Sequence, residues 1–91
     1  MPSSRRDLDP GQSTLFTTRP VGLQTSLFAI PTPPDPSAPL PTFTWHIELC
    51  CQDDHVEQGV DSVDISAAAG ALVTVCNIQA QGAIEVWTDY I

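Results

Sequence analysis

Ninety-one residues allow at most one domain. The chain carries a formal net charge of −8, contains no lysine, and has only Arg5, Arg6 and Arg19 as basic residues. That balance argues against a nucleic-acid interface, which needs a cationic stripe to release counterions. It argues equally against adhesion to an anionic membrane. A solvated outer surface, a basic partner or a high-salt setting fits the charge.

Residues 1–14 are polar, with Pro2, Pro10 and Gly11, and read as disordered or ordered by a partner. Residues 15–30 carry Leu15, Phe16, Val21, Leu23, Leu27, Phe28 and Ile30, while Pro20 and Gly22 interrupt any helix. Leu23, Thr25, Leu27 and Ala29 share one side of an extended chain. Two phenylalanines and several aliphatics are costly to leave in water, so this stretch is expected to be a strand or extended arm that docks elsewhere. Six of the eleven residues from Pro31 to Pro41 are proline. This run cannot be helix and lacks ladder donors. As an extended spacer it would reach roughly 34 Å.

Residues 43–51 alternate strictly, with Phe43, Trp45, Ile47, Leu49 and Cys51 on one face. This is the pattern of a half-buried strand. A polar loop is expected over 52–59, closed by Gly59, followed by a strand through Val63, Ile65 and Ala67. Residues 67–70 suggest a tight turn or a closely packed strand. Segments 71–79 and 83–90 read as a hairpin, with Gly82 supplying a positive φ in the turn. Leu72, Val73, Val75, Cys76 and Ile78 put apolar groups on both faces of the first segment, as in a central strand. Ile84, Val86 and Tyr90 share one face of the second; Glu85, Trp87 and Asp89 share the other.

The expected fold is therefore mainly β: a small antiparallel β-sandwich or partial barrel with a long extended N-terminal arm. Residues 1–41 form the Pro-rich arm and linker, and residues 42–91 the domain. A core of about fifty residues supplies only a few kcal/mol, so oligomerisation or docking is the economical source of further burial.

Three cysteines cannot build a multi-bridge framework. Adjacent Cys50 and Cys51 point to opposite faces of a strand. A bridge from either to Cys76 is the alternative to reduced thiols. His46, Cys50, Cys51 and His55 have a zinc-like composition, yet His46 and Cys50 lie about 13 Å apart along a straight strand. One zinc ion holds its ligands at about 2.0–2.3 Å. Asp53, Asp54, Glu57, Asp61 and Asp64 cluster in sequence but lack calcium-loop spacing. His55 beside Asp54 could be an oriented base and Cys50 or Cys51 a nucleophile. No nucleophile elbow, phosphate loop, dinucleotide fingerprint or zinc-protease motif accompanies them. The expectation is no enzyme, no metal and no cofactor.

What remains is a structural interaction subunit of a larger assembly. Its protein partners would be further copies of itself, or a major shell or tail subunit. Leu15, Phe16, Leu27 and Phe28 are the expected arm anchors, with strand addition as the mode of docking. Trp45 is expected in the core. Trp87, which shares its face with carboxylates, is expected at an interface. A small acidic β module with an extended arm and no catalytic motif resembles, in build, the capsid decoration (cement) and minor tail proteins of tailed bacteriophages. No signal-peptide or membrane-spanning stretch is read in the sequence, so the expectation is cytoplasmic synthesis; the resemblance implies incorporation into a virion. The alternatives are a soluble acidic inhibitor or adaptor that masks a basic surface through Asp53–Asp64, and a small metal-binding module built on His55 and the cysteines.

Overall fold

Strands with alternate residues buried form two stacked sheets in this computed structural model, which describes residues 5–20, 23–47, 55–65 and 70–90. The strands are β1 (Arg6–Leu8), β2 (Ser13–Thr17), β3 (Ser26–Thr32), β4 (Thr42–Ile47), β5 (His55–Gln58), β6 (Ser62–Asp64), β7 (Leu72–Asn77) and β8 (Ala83–Thr88). Sheet A runs in the order β1-β8-β3-β6, and sheet B in the order β2-β7-β4-β5. All pairings are antiparallel. The sheets are open, not closed into a barrel.

The pairing is nested. β4 pairs with β5, β3 with β6, β2 with β7 and β1 with β8. The first half of the chain thus lies against the second as one long hairpin. The hairpin then rolls up, joining β8 to β3 in sheet A and β7 to β4 in sheet B. Rolling brings two apolar faces together. Leu8, Leu27, Ala29, Ile84 and Val86 come from sheet A, and Phe16, Phe43, Trp45, Val73 and Val75 from sheet B. Ile65, just beyond β6, completes the core.

This arrangement corrects the expected arm and its boundary at residue 41. Residues 6–32 supply β1, β2 and β3, and four of the core side chains (Leu8, Phe16, Leu27 and Ala29). The radius of gyration is 12.5 Å, close to the ~12 Å of a single compact body of this length. The physical reason is burial: fifty residues offer too little apolar area to close two layers. The N-terminal strands provide the missing half.

The proline run is a crossover, not a spacer. β3 continues through Pro31 and Thr32, and the chain then passes from sheet A to sheet B. A turn in this loop is held by Ala38 N donating to the Asp35 carbonyl at 3.0 Å. Pro41 is fully buried beside the start of β4, and its carbonyl accepts from Gly59 N at 3.1 Å.

Two other expectations change. The stretch 55–58, read as loop, is the edge strand β5; its polarity reflects one sheet edge in water rather than a lack of order. β7 and β8 are consecutive strands but do not pair. They belong to different sheets, and the turn between them crosses the sandwich. Gly82 in that turn has φ +96°, the positive value the sequence suggested.

Candidate interaction surfaces

The two outer faces differ in chemistry. On sheet A, register places Arg5, Trp87, Phe28 and Ser62 in one cross-strand row and Asp7, Glu85 and Ile30 in the next. Trp87 and Phe28 stack with ring centroids 5.6 Å apart and planes 18° apart. The Arg5 guanidinium covers the Trp87 ring at 4.0 Å and binds Glu85 Oε1 at 3.0 Å. Asp64 stands on the same face at the β6 edge, opposite Ser26. Sheet A thus presents a half-buried aromatic ladder among carboxylates. Beside it, Arg19 braces the end of β8. It donates to Asp89 Oδ1 at 2.8 Å, to the Asp89 carbonyl at 2.6 Å and to the Gln24 carbonyl at 2.7 Å.

Sheet B presents a different surface. Ser13, Leu15 and Thr17 point outward from β2, Leu72, Thr74 and Cys76 from β7, and Thr44 and His46 from β4. Val56 and Gln58 point outward from β5. Among these residues there is no carboxylate and no guanidinium. Leu15 is 51% exposed, Leu72 42% and Val56 62%. In a chain with a net charge of −8, an uncharged face with three open aliphatics stands apart from its surroundings.

A third surface lies at the proline loop. Ile30, Pro31, Pro34, Pro36, Ala38 and Leu40 border an open cleft of about 320 Å³ together with Asp35. Asp35 is already engaged. Ser37 Oγ donates to its Oδ1 at 2.7 Å and Ser37 N at 2.9 Å. The Ser37 side-chain bond, reinforced by the backbone bond, lowers the Asp35 carboxyl below the ordinary Asp value.

The expected anchors separate on these surfaces. Phe16 and Leu27 are 5% and 0% exposed in the chain's own core, so they are not docking groups. Strand parity hides them: Phe16 alternates with outward Leu15, and Leu27 with outward Phe28. Leu15 remains exposed on sheet B. Phe28 and Trp87 occupy the outer face of sheet A, where their rings cover one another. Trp45 is in the core, as its alternation suggested.

Among the described residues, the candidate ligating and catalytic groups do not converge. His46 points out of sheet B, whereas His55 points inward and stacks on the Trp45 indole at 4.1 Å. Glu57, on the same face, accepts a long hydrogen bond from Trp45 Nε1 at 3.4 Å. Cys76 is a free thiol on the outer face of β7. Cys50, Cys51, Asp53 and Asp54 lie outside the described residues. Among the described residues, no three His, Cys, Asp or Glu side chains gather as a metal site.

Sequence reading missed the uncharged face. It becomes visible only when β2, β7, β4 and β5 are known to be neighbours, and β5 had the composition of a loop. The alternation Ser13-Leu15-Thr17 against Thr14-Phe16 was the available signal.

Over its whole length the chain is similar to a solved structure. The solution NMR structure of a de novo designed double-stranded β-helix superposes with a TM-score of 0.59, at 8% identity, over 98% of this chain and 100% of that one. The two proteins share a similar two-sheet fold. This agrees with the nested, rolled hairpin traced by the strand pairing. No protein-family model and no curated protein matches the sequence.

Proposed function

We propose that this chain is a non-enzymatic structural subunit that packs against protein neighbours in a larger assembly, through the outer face of sheet B. The observation carrying this reading is the uncharged face bearing Leu15, Leu72 and Val56, 51%, 42% and 62% exposed, on a chain of net charge −8. Burying three aliphatics there releases apolar surface at about 25 cal/mol per Å². It does so without trapping an unpaired charge, which is the usual obstacle to burying an acidic surface. The acidic outer face of sheet A would then remain in water. A virion accessory role, as capsid decoration or minor tail protein, suits this polarity, and two-sheet jelly rolls are a recurrent architecture of viral capsid domains.

The test is the solution mass of the full chain across a concentration series, measured for the natural sequence and for the double variant Leu72→Asp/Val56→Asp. Association beyond a dimer by the natural chain, and its loss in a variant with unchanged circular dichroism, is the expected result. Equal association by both proteins would overturn the assignment of this face.

A second reading has its own observation. Asp7, Glu85 and Asp64 share the outer face of sheet A, as would suit an acidic adaptor covering a basic surface. Complex formation that weakens steeply with added salt would favour it.

A further inference from the structure

Sheet B ends at β2, and the backbone of that strand has a definite polarity. Asn77 N donates to the Gln12 carbonyl at 3.0 Å, and Thr18 N donates to the Ala71 carbonyl at 2.9 Å. These even-numbered positions of the β2 segment are therefore the ones that bond to β7. In an antiparallel ladder the bonding positions alternate. Ser13, Leu15 and Thr17 consequently turn their N–H and C=O groups away from β7, toward the free edge of the sheet.

The other sheet edges are guarded. β1 has three residues and carries Arg6 and Asp7. β6 has three residues and ends in Asp64. β5 carries His55 and Glu57. Charge and shortness are the usual protections against edge-to-edge pairing. β2, Ser-Thr-Leu-Phe-Thr, has five residues and neither charge nor proline. It also borders the uncharged outer face described above.

We propose that two copies of this chain join edge to edge through β2, antiparallel, about a two-fold axis at Leu15. This inference rests on the assembly reading and specifies its first contact. The two β2-β7-β4-β5 sheets then run on as one continuous sheet. Leu15 faces its own copy, and Ser13 faces Thr17 of the second chain. The pairing forms on the order of six backbone hydrogen bonds. Side-chain chemistry suits the register: the two Leu15 side chains meet on the outer face, flanked by hydroxyl pairs. The contact is isologous and closes on itself, so it yields a discrete dimer rather than a fibre.

The experiment uses the full chain and sedimentation equilibrium, with Leu15→Pro, Leu15→Lys and Val56→Asp as variants. Leu15→Pro removes the donor at the proposed axis, a substitution that an edge position tolerates because no β7 bond is lost. The natural chain is expected to dimerise. Leu15→Pro should weaken the dimer by about 30-fold or more through two lost hydrogen bonds. Leu15→Lys places two like charges at the axis and should abolish the dimer, with circular dichroism unchanged. Val56→Asp, across the sheet on β5, should leave the dimer intact. A monomeric natural chain, or dimers of unchanged strength in both folded Leu15 variants, would overturn β2 pairing. If dimerisation is instead sensitive to Val56→Asp and not to Leu15, face-to-face packing on sheet B is the contact. The assembly reading then stands while this inference falls.

Discussion

Asn77 Nδ2 donates to the Leu8 carbonyl at 2.9 Å, tying the end of β7 in sheet B to the end of β1 in sheet A. Asn77 is fully buried, and its amide also donates to the Gly82 carbonyl at 3.1 Å and accepts from Gln79 N at 2.9 Å. One side chain thus satisfies backbone groups from two separate turns. Asn77→Leu removes all three partners and leaves buried polar groups unpaired. The expected cost is about 2–3 kcal/mol, seen as a thermal midpoint lower by roughly 10–20 °C. An unchanged midpoint would show that water or a rearranged turn replaces the amide.

Deletion of residues 1–30 separates an integral N-terminal half from a docking arm. The deletion removes β1, β2 and most of β3, together with Leu8, Phe16, Leu27 and Ala29 from the core. Leu8, Phe16 and Leu27 alone, at about 1.5–3 kcal/mol each, match the whole stability of a small domain. The truncated chain is expected to be unfolded by circular dichroism and amide dispersion. A folded truncation would restore the idea of an arm.

On sheet A, the aromatic ladder gives its members unequal weight. Arg5 is a surface partner, with its side chain 48% exposed, and Arg5→Ala is expected to cost under about 1 kcal/mol. Trp87→Ala removes the ring that both Phe28 and Arg5 contact. Its expected cost is about 1–3 kcal/mol. Urea unfolding of both variants checks the order, and a larger loss for Arg5→Ala would reverse the assignment.

The proline loop contributes a pH-dependent term. Asp35 titrates below the ordinary Asp value in the folded protein because Ser37 donates to its carboxylate. A depressed folded pKa gives stabilisation that is fully present above the unfolded value and lost as pH falls through the folded one. The NMR titration of Asp35 should move upward, toward the ordinary range, in Ser37→Ala, where the backbone bond remains. No movement would mean that the remaining backbone bond alone holds the carboxylate.

The inner faces were legible in the sequence wherever alternation was strict. Phe43, Trp45 and Ile47, and Ile84 with Val86, all turn inward as their spacing implied. The strand positions of β4, β6, β7 and β8 followed similarly. Pairing was not legible, because nothing local distinguishes a turn that closes a hairpin from one that crosses between sheets. Residues 78–82 are the instance: a Gly-containing turn with hairpin chemistry joins strands of opposite layers. The same gap separated Leu15 from Phe16. Both looked like anchors, but only knowledge of the opposite sheet decides which one the core takes.

The nesting of strands has a consequence in time. β4 and β5 are neighbours along the chain, whereas β1 must find β8, and Arg5 meets Glu85 across a separation of 80 residues. Closing long loops before short ones is entropically unfavourable. Assembly of the fold should therefore zip outward from the β4–β5 end and seal last at β1–β8. During translation β1 emerges first yet finds its partner last. The nascent chain stays open at sheet A until Ala83–Thr88 has left the ribosome, so completion of the core waits on the strand made last.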